Sequence, residues 1–255
     1  MPTVTPRHVI CALGNWRGLD EVDAIVRQEG FSGFELNREF SQLFPDDRMM
    51  ASFDASYDRV SPSMSEEDWN AVRTHRAVAY VLSPPIGKAH AADVSGRALM
   101  LTAALLREGG VAAKGEGAGI AHGRARWLEL AEKLARARQH GDTHTEGAAL
   151  YWAWMRRPMI DDDEAVYYSC GMHLLGERDI EIETGLDLAE ALEWMDLLGL
   201  YLVGDRPTRP PKDGEGFRLK DEGPRRVMSF RPCERYEEDG FMFNPYGYIR
   251  LEPAV

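Results

Sequence analysis

Cysteine is scarce. Three residues, Cys11, Cys170 and Cys233, stand far apart in a chain of 255, which excludes a disulfide framework and leaves no local zinc spacing. No apolar run reaches the roughly 18 residues of a membrane span, and the opening MPTVTPRHVICALG lacks the apolar core of a secretory leader. Basic charge is also in deficit: 30 Lys and Arg against 42 Asp and Glu give a net charge of −12. A chain of this sign has no broad basic face for nucleic acid or anionic membrane. Catalytic signatures are missing as well: there is no G-x-S-x-G elbow and no H-E-x-x-H, and Gly87-Lys88 lacks the upstream glycine of a phosphate loop. The expectation is a cytoplasmic protein without a cofactor or a metal.

What is present reads as an ordinary globular chain, 44% apolar and 28% charged. His8 to Leu13 predicts a strand, and Leu19 to Glu29 an amphipathic helix stopped by Gly30. Phe31 to Tyr57 mixes aromatics with Pro45 and reads as strand fragments and loop. Ser65 and Asp68 have capping-box spacing and open a helix to about His75, and Arg76 to Leu82 is β-rich. Ala89 to Glu108 predicts a long helix, apolar nearly all round and therefore buried. A short strand at Val111 to Ala113, the glycine-rich turn Lys114 to Gly119 and a helix from Ala121 to Arg138 follow, then a polar loop from His140 to Glu146.

From Ala148 to Met155 the pattern alternates, predicting a strand buried on both faces. Ala165 to Cys170 and Asp179 to Glu183 predict further strands, the second with Asp179, Glu181 and Glu183 on one face. Asp187 to Val203 is an apolar helix, and Gly204 to Gly216 a proline-rich loop. The tail predicts a β-hairpin of Arg226 to Tyr236 and Phe241 to Leu251 across Glu237-Glu238-Asp239-Gly240, with Asp-Gly as the turn signal. The fold class expected is α+β, one domain over residues 1–255, with a mixed, mostly antiparallel sheet, packed helices and a C-terminal hairpin.

Charge is distributed unevenly. Asp161 to Asp205 holds thirteen acids and one base, whereas the first 140 residues carry 17 bases and 18 acids. The bland reading is a solvated face that keeps the protein soluble. The functional reading is a docking surface for a basic protein, formed by Asp161, Asp162, Asp163, Glu164, Asp179, Glu181, Glu183, Glu190 and Glu193. His140, Asp142 and His144 have metal-ligand chemistry but loop placement, and the Asp161–Glu164 run lacks the alternation and glycine of a calcium loop. His75, His90, His122, Cys170 and His173 could instead converge from a distance into a small-molecule or catalytic site. A structural subunit docking through the tail hairpin is a third reading.

Tyr167-Tyr168-Ser169-Cys170-Gly171-Met172, Leu175-Gly176 and Asp179-Ile180-Glu181-Ile182-Glu183 resemble the bacterial domain of unknown function 4261, as do Trp127-Leu128-Glu129-Leu130, Trp152-Ala153-Trp154 and Leu200-Tyr201-Leu202. The resemblance extends over about Arg76 to Arg231. It implies an α+β bacterial cytoplasmic protein akin to immunity-type genes found beside secreted toxins, and it transfers no catalytic residue. The leading expectation is a non-enzymatic immunity protein that occludes a basic toxin's active site with its acidic surface.

Overall fold

A computed structural model of the chain describes residues 5–57 and 60–254. Met1 to Val4, the start of the segment read as lacking a leader, lie outside the described residues. Chain order in the first half is β1 (Val9–Gly14), α1 (Leu19–Val26), β2 (Glu35–Gln42), α2 (Arg48–Tyr57), α3 (Glu66–Thr74), β3 (Ala77–Leu82), α4 (Ala91–Arg107), β4 (Gly110–Gly115), β5 (Ile120–His122), α5 (Arg124–His140) and α6 (Thr143–Trp154). The second half adds β6 (Arg156–Asp161), β7 (Val166–Cys170), β8 (Asp179–Glu183), α7 (Leu188–Leu200), β9 (Gly216–Arg218), β10 (Arg225–Arg231) and β11 (Tyr248–Pro253).

The strands form two sheets, β2-β3-β1-β4-β5 and β6-β7-β8-β11-β10-β9. Every pairing is antiparallel except β8 with β11, so the α+β expectation holds, with two sheets in place of one. One apolar cluster runs from Ile10 and Leu99 through Trp154 to Ile182, Leu198 and Leu251, joining both sheets and the helices between them. At its centre α4 buries Val94, Leu99, Leu101 and Leu105, because small and apolar residues occupy almost its whole circumference. A polar joint crosses the same centre: His8 Nε2 meets Ser95 Oγ at 2.8 Å, and Ser95 Oγ donates to Leu174 O at 2.6 Å.

The capping box forms as the spacing predicts, with Ser65 accepting from the Asp68 backbone and Asp68 accepting from the Ser65 backbone. Four local readings are corrected. Arg48–Tyr57 is a helix, α2. The glycine-rich turn joins β4 to β5, not a strand to a helix, and Lys114 within it is buried, its Nζ 3.1 Å from Glu116. The supposed loop from His140 shrinks to Gly141 and Asp142, since Asp142 caps α6 by accepting from Thr145 N at 2.9 Å. Ala148 to Met155 is not a strand, because Ala148 to Trp154 lie in α6. Gly147, Ala149, Leu150, Tyr151, Ala153 and Trp154 are all buried there, so burial on most sides erased the helical period.

The tail strands pair antiparallel, from Arg226 opposite Pro253 to Arg231 opposite Tyr248. Their connection is not the four residues Glu237 to Gly240 but the whole segment 232–247. β11 also adds in parallel to β8, which places the end of the chain inside the second sheet rather than at its edge. Among the described residues no helix is long and apolar enough to cross a membrane.

Candidate functional site

Sheet register assembles the site. Tyr168 on β7 lies opposite Glu181 on β8, and Glu181 lies beside Arg250 on β11. Alternation on β8 turns Ile180 and Ile182 into the core cluster with α7, leaving Asp179 and Glu181 on the side covered by segment 232–247. At the end of β6 the chain reverses through Asp162 to Ala165, with Glu164 N donating to Asp161 Oδ1 at 3.1 Å. Segment 232–247 folds back over this face and brings Arg235 between the turn and Glu181.

The result is an alternating chain of charge. Arg235 Nε donates to Asp161 Oδ2 at 2.6 Å and its Nη1 to Glu181 Oε1. Arg250 Nε donates to Glu181 Oε2 at 2.8 Å, and its Nη2 to Glu164 Oε2 at 2.8 Å. The Arg235 guanidinium lies 4.7 Å from the Tyr168 ring centre and 4.8 Å from that of Tyr248. Burial opposes ionisation of Asp161, yet the Glu164 backbone and Arg235 outweigh it and hold the carboxyl below its ordinary value. Burial likewise opposes the charge on Arg235, while Glu181 and Asp161 raise its affinity for the proton above the usual.

Above this network is a cleft of about 850 Å³, walled by Ile160, Tyr168, Tyr236 and Arg231 and rimmed by Asp162, Asp163 and Glu234. The three rim acids are exposed, and no ion pair among the described residues neutralises them. The cleft therefore has a neutralised, cross-linked floor and an uncompensated negative mouth.

The nine acids singled out from the sequence separate into groups. Asp161, Asp162, Asp163, Glu164 and Glu181 meet at the cleft. Asp179 and Glu181 are each 1% exposed and belong to the interior, which corrects their reading as surface docking residues. Asp179 accepts from Ser169 Oγ at 3.0 Å, Met172 N at 3.2 Å and Asn244 Nδ2 at 2.7 Å. Glu183 pairs with Arg226 at 2.8 Å at the far end of the strand. Glu190 and Glu193 are exposed on α7, on the isoleucine side of β8. A single continuous acidic face is thus not formed: sheet alternation sends Glu190 and Glu193 to the opposite side, and tail arginines neutralise the strand.

The five residues read as a dispersed catalytic set do not converge. His75 accepts from Asp46 N, just before α2, at 2.9 Å, while His90 is exposed. His122 packs edge-on against Trp127, and burial pushes its pKa down to about 4. His173 Nε2 bonds Phe241 O at 3.1 Å. Burial raises the Cys170 thiol well above its ordinary value, which makes it inert. Among the described residues no group of three His, Cys, Asp or Glu side chains could hold a metal ion.

Sequence reasoning missed Arg235, Arg250, Tyr168 and Tyr236. One signal was available: in YIRLE, Ile249 and Leu251 alternate on one face and leave Arg250 between Tyr248 and Glu252 on the other, and a cation on a strand that is covered on both faces needs an acid opposite. No family model, curated protein or solved structure matches the chain.

Proposed function

We propose that the protein is a non-enzymatic, cytoplasmic binding protein that docks a basic protein partner at the β6–β7 cleft. The observation that carries this reading is the division of charge there. The acids on the floor are locked to Arg235 and Arg250, whereas Asp162, Asp163 and Glu234 at the mouth remain unpaired. Preformed, unpaired charge at a cleft mouth accelerates encounter with an opposite surface and selects its register. Tyr236 and the exposed Ile160 offer amphipathic contact area within the ring of charge. This supports an immunity-type role in which the rim covers the cationic substrate groove of a toxin.

The test is capture from the native host with wild-type protein and with the triple variant Asp162→Asn, Asp163→Asn, Glu234→Gln, followed by association kinetics of the captured partner. A single basic partner should elute as salt rises, and the triple variant should associate about tenfold more slowly, within the range for removed steering charge. Absence of a basic partner at low salt, or unchanged kinetics in the variant, refutes the proposal.

A further inference from the structure

A second cleft, sharing no residue with the first, lies between the start of α4, α6 and the proline-rich segment after α7. Its volume is about 300 Å³, at the small end of the ligand-site range of roughly 300–1,000 Å³. Ala92, Leu150 and Leu202 form an apolar floor, and Pro207, Pro210 and Pro211 close one side. Three charged side chains, Lys88, Glu177 and Arg206, share this otherwise apolar space.

Each is held in place by local backbone geometry. Gly176 takes φ +79°, and a Cβ there would stand 3.2 Å from Lys88 O and 3.0 Å from Ala91 Cβ. Only glycine lets the chain pass this close, and the passage sets Glu177 against Lys88, Oε2 to Nζ 3.2 Å. Arg206 follows a π turn, Tyr201–Asp205, and itself adopts the left-handed region at φ +46°. Its Nε donates to Val203 O at 3.2 Å and its Nη2 lies 3.3 Å from Glu146, which leaves Nη1 without a partner among the described residues. Glu177 is short of donors in the same way: Oε1 has none among the described residues, and burial raises its pKa despite Lys88 and Arg178 nearby.

The complement of this lining carries one carboxylate, one ammonium and an apolar body. A plain carboxylate would face Glu177, and a plain amine would face Lys88 and Arg206. We propose that the cleft binds a free α-amino acid with an apolar side chain, its carboxylate held by Lys88 and Arg206, its ammonium by Glu177, and its side chain by the leucines and prolines. This is independent of the docking role and would make the protein a receptor for a small zwitterion as well.

Calorimetric titration with L-leucine, leucinamide and N-acetylleucine tests the assignment, since the two analogues each delete one charge. Leucine should bind saturably, and each analogue about tenfold or more weakly, the loss expected for one hydrogen bond to a charged group. Glu177→Gln should weaken leucine about tenfold but bind N-acetylleucine at least as tightly as the wild type does, because that analogue has no ammonium to lose and its carboxylate no longer faces Glu177. Ala92→Trp should fill the floor and abolish binding of all three, and circular dichroism would verify that it folds. No saturable binding of leucine, equal binding of the three compounds, or unaltered leucine binding by Glu177→Gln would overturn the proposal.

Discussion

Glu181 is the residue on which the reading of the first cleft depends, and Glu181→Gln tests it. The carboxylate is 1% exposed and accepts from both Arg235 and Arg250. Removing one partner of a buried ion pair costs about 3–5 kcal/mol, because the remaining charge is left desolvated. Here that figure is an upper limit. The side chains of Arg235 and Arg250 are 16% and 22% exposed and keep Asp161 and Glu164 as second partners. Allowing for that rescue, the loss should be about 2 kcal/mol, or roughly 4–8 °C in Tm for a chain of this size. Thermal and urea denaturation of Glu181→Gln beside Glu190→Gln and Glu193→Gln measures it directly. The two α7 variants are exposed and should stay within about 0.5 kcal/mol of wild type. Arg250→Met combined with Glu181→Gln should lose less than the sum of the single losses, since one interaction is removed twice. A Glu181→Gln loss below about 0.5 kcal/mol, or strict additivity, would refute the claim that the floor is a coupled network.

Two further outcomes follow from the same packing. Burial, with His173 close by, pushes His8 down to about 3, and burial pushes His122 to about 4. Both histidines then take up protons near pH 6.5 in the unfolded chain but not in the folded one, so stability falls as pH drops from about 6.5 toward 4. At pH 5 each contributes at most about 2 kcal/mol to that loss. Urea titrations at pH 7 and pH 5 should show the fall, with a shallower one in His122→Gln; equal midpoints at the two pH values would contradict it. Gly147→Ala should cost about 2 kcal/mol or more, because the new Cβ would lie 2.2 Å from Val203 O and 2.5 Å from Gly204 Cα, backbone atoms that cannot swing aside. Its Tm decides, and an unchanged value would show that α6 and the π turn are not rigidly packed.

Elements whose signals are local were readable from the sequence. The Ser65–Asp68 box, the apolar circumference of α4 and the alternation of β8 each lie within one turn, one helix or one strand. α6 was misread because Trp152, Ala153 and Trp154 imitate a period of two while the interior covers almost every side of the helix. The half-buried residues Thr145, Ala148 and Trp152, spaced three and four apart, are the trace of a helical stripe. α2 was hidden for another reason: its stripe, Met49 and Phe53 with Ser56, is short and closely follows Pro45, and the helix is also secured from outside by His75, Lys114 and Arg156.

The charge excess shows the same limit from another side. The run from Asp161 to Asp205 is strongly acidic, but its neutralising partners include Arg226, Arg235 and Arg250, separated from Glu183, Glu181 and Glu164 by 43, 54 and 86 residues. No local window can contain both halves of such a pair. Once β11 enters the sheet beside β8, arginines that looked unremarkable in the tail become the counter-charges of an acidic strand. What is left over is smaller than the count suggested but better placed. The unpaired acids at the mouth sit on a frame whose side chains are already fixed by ion pairs, so engaging a partner would require little further ordering of the site.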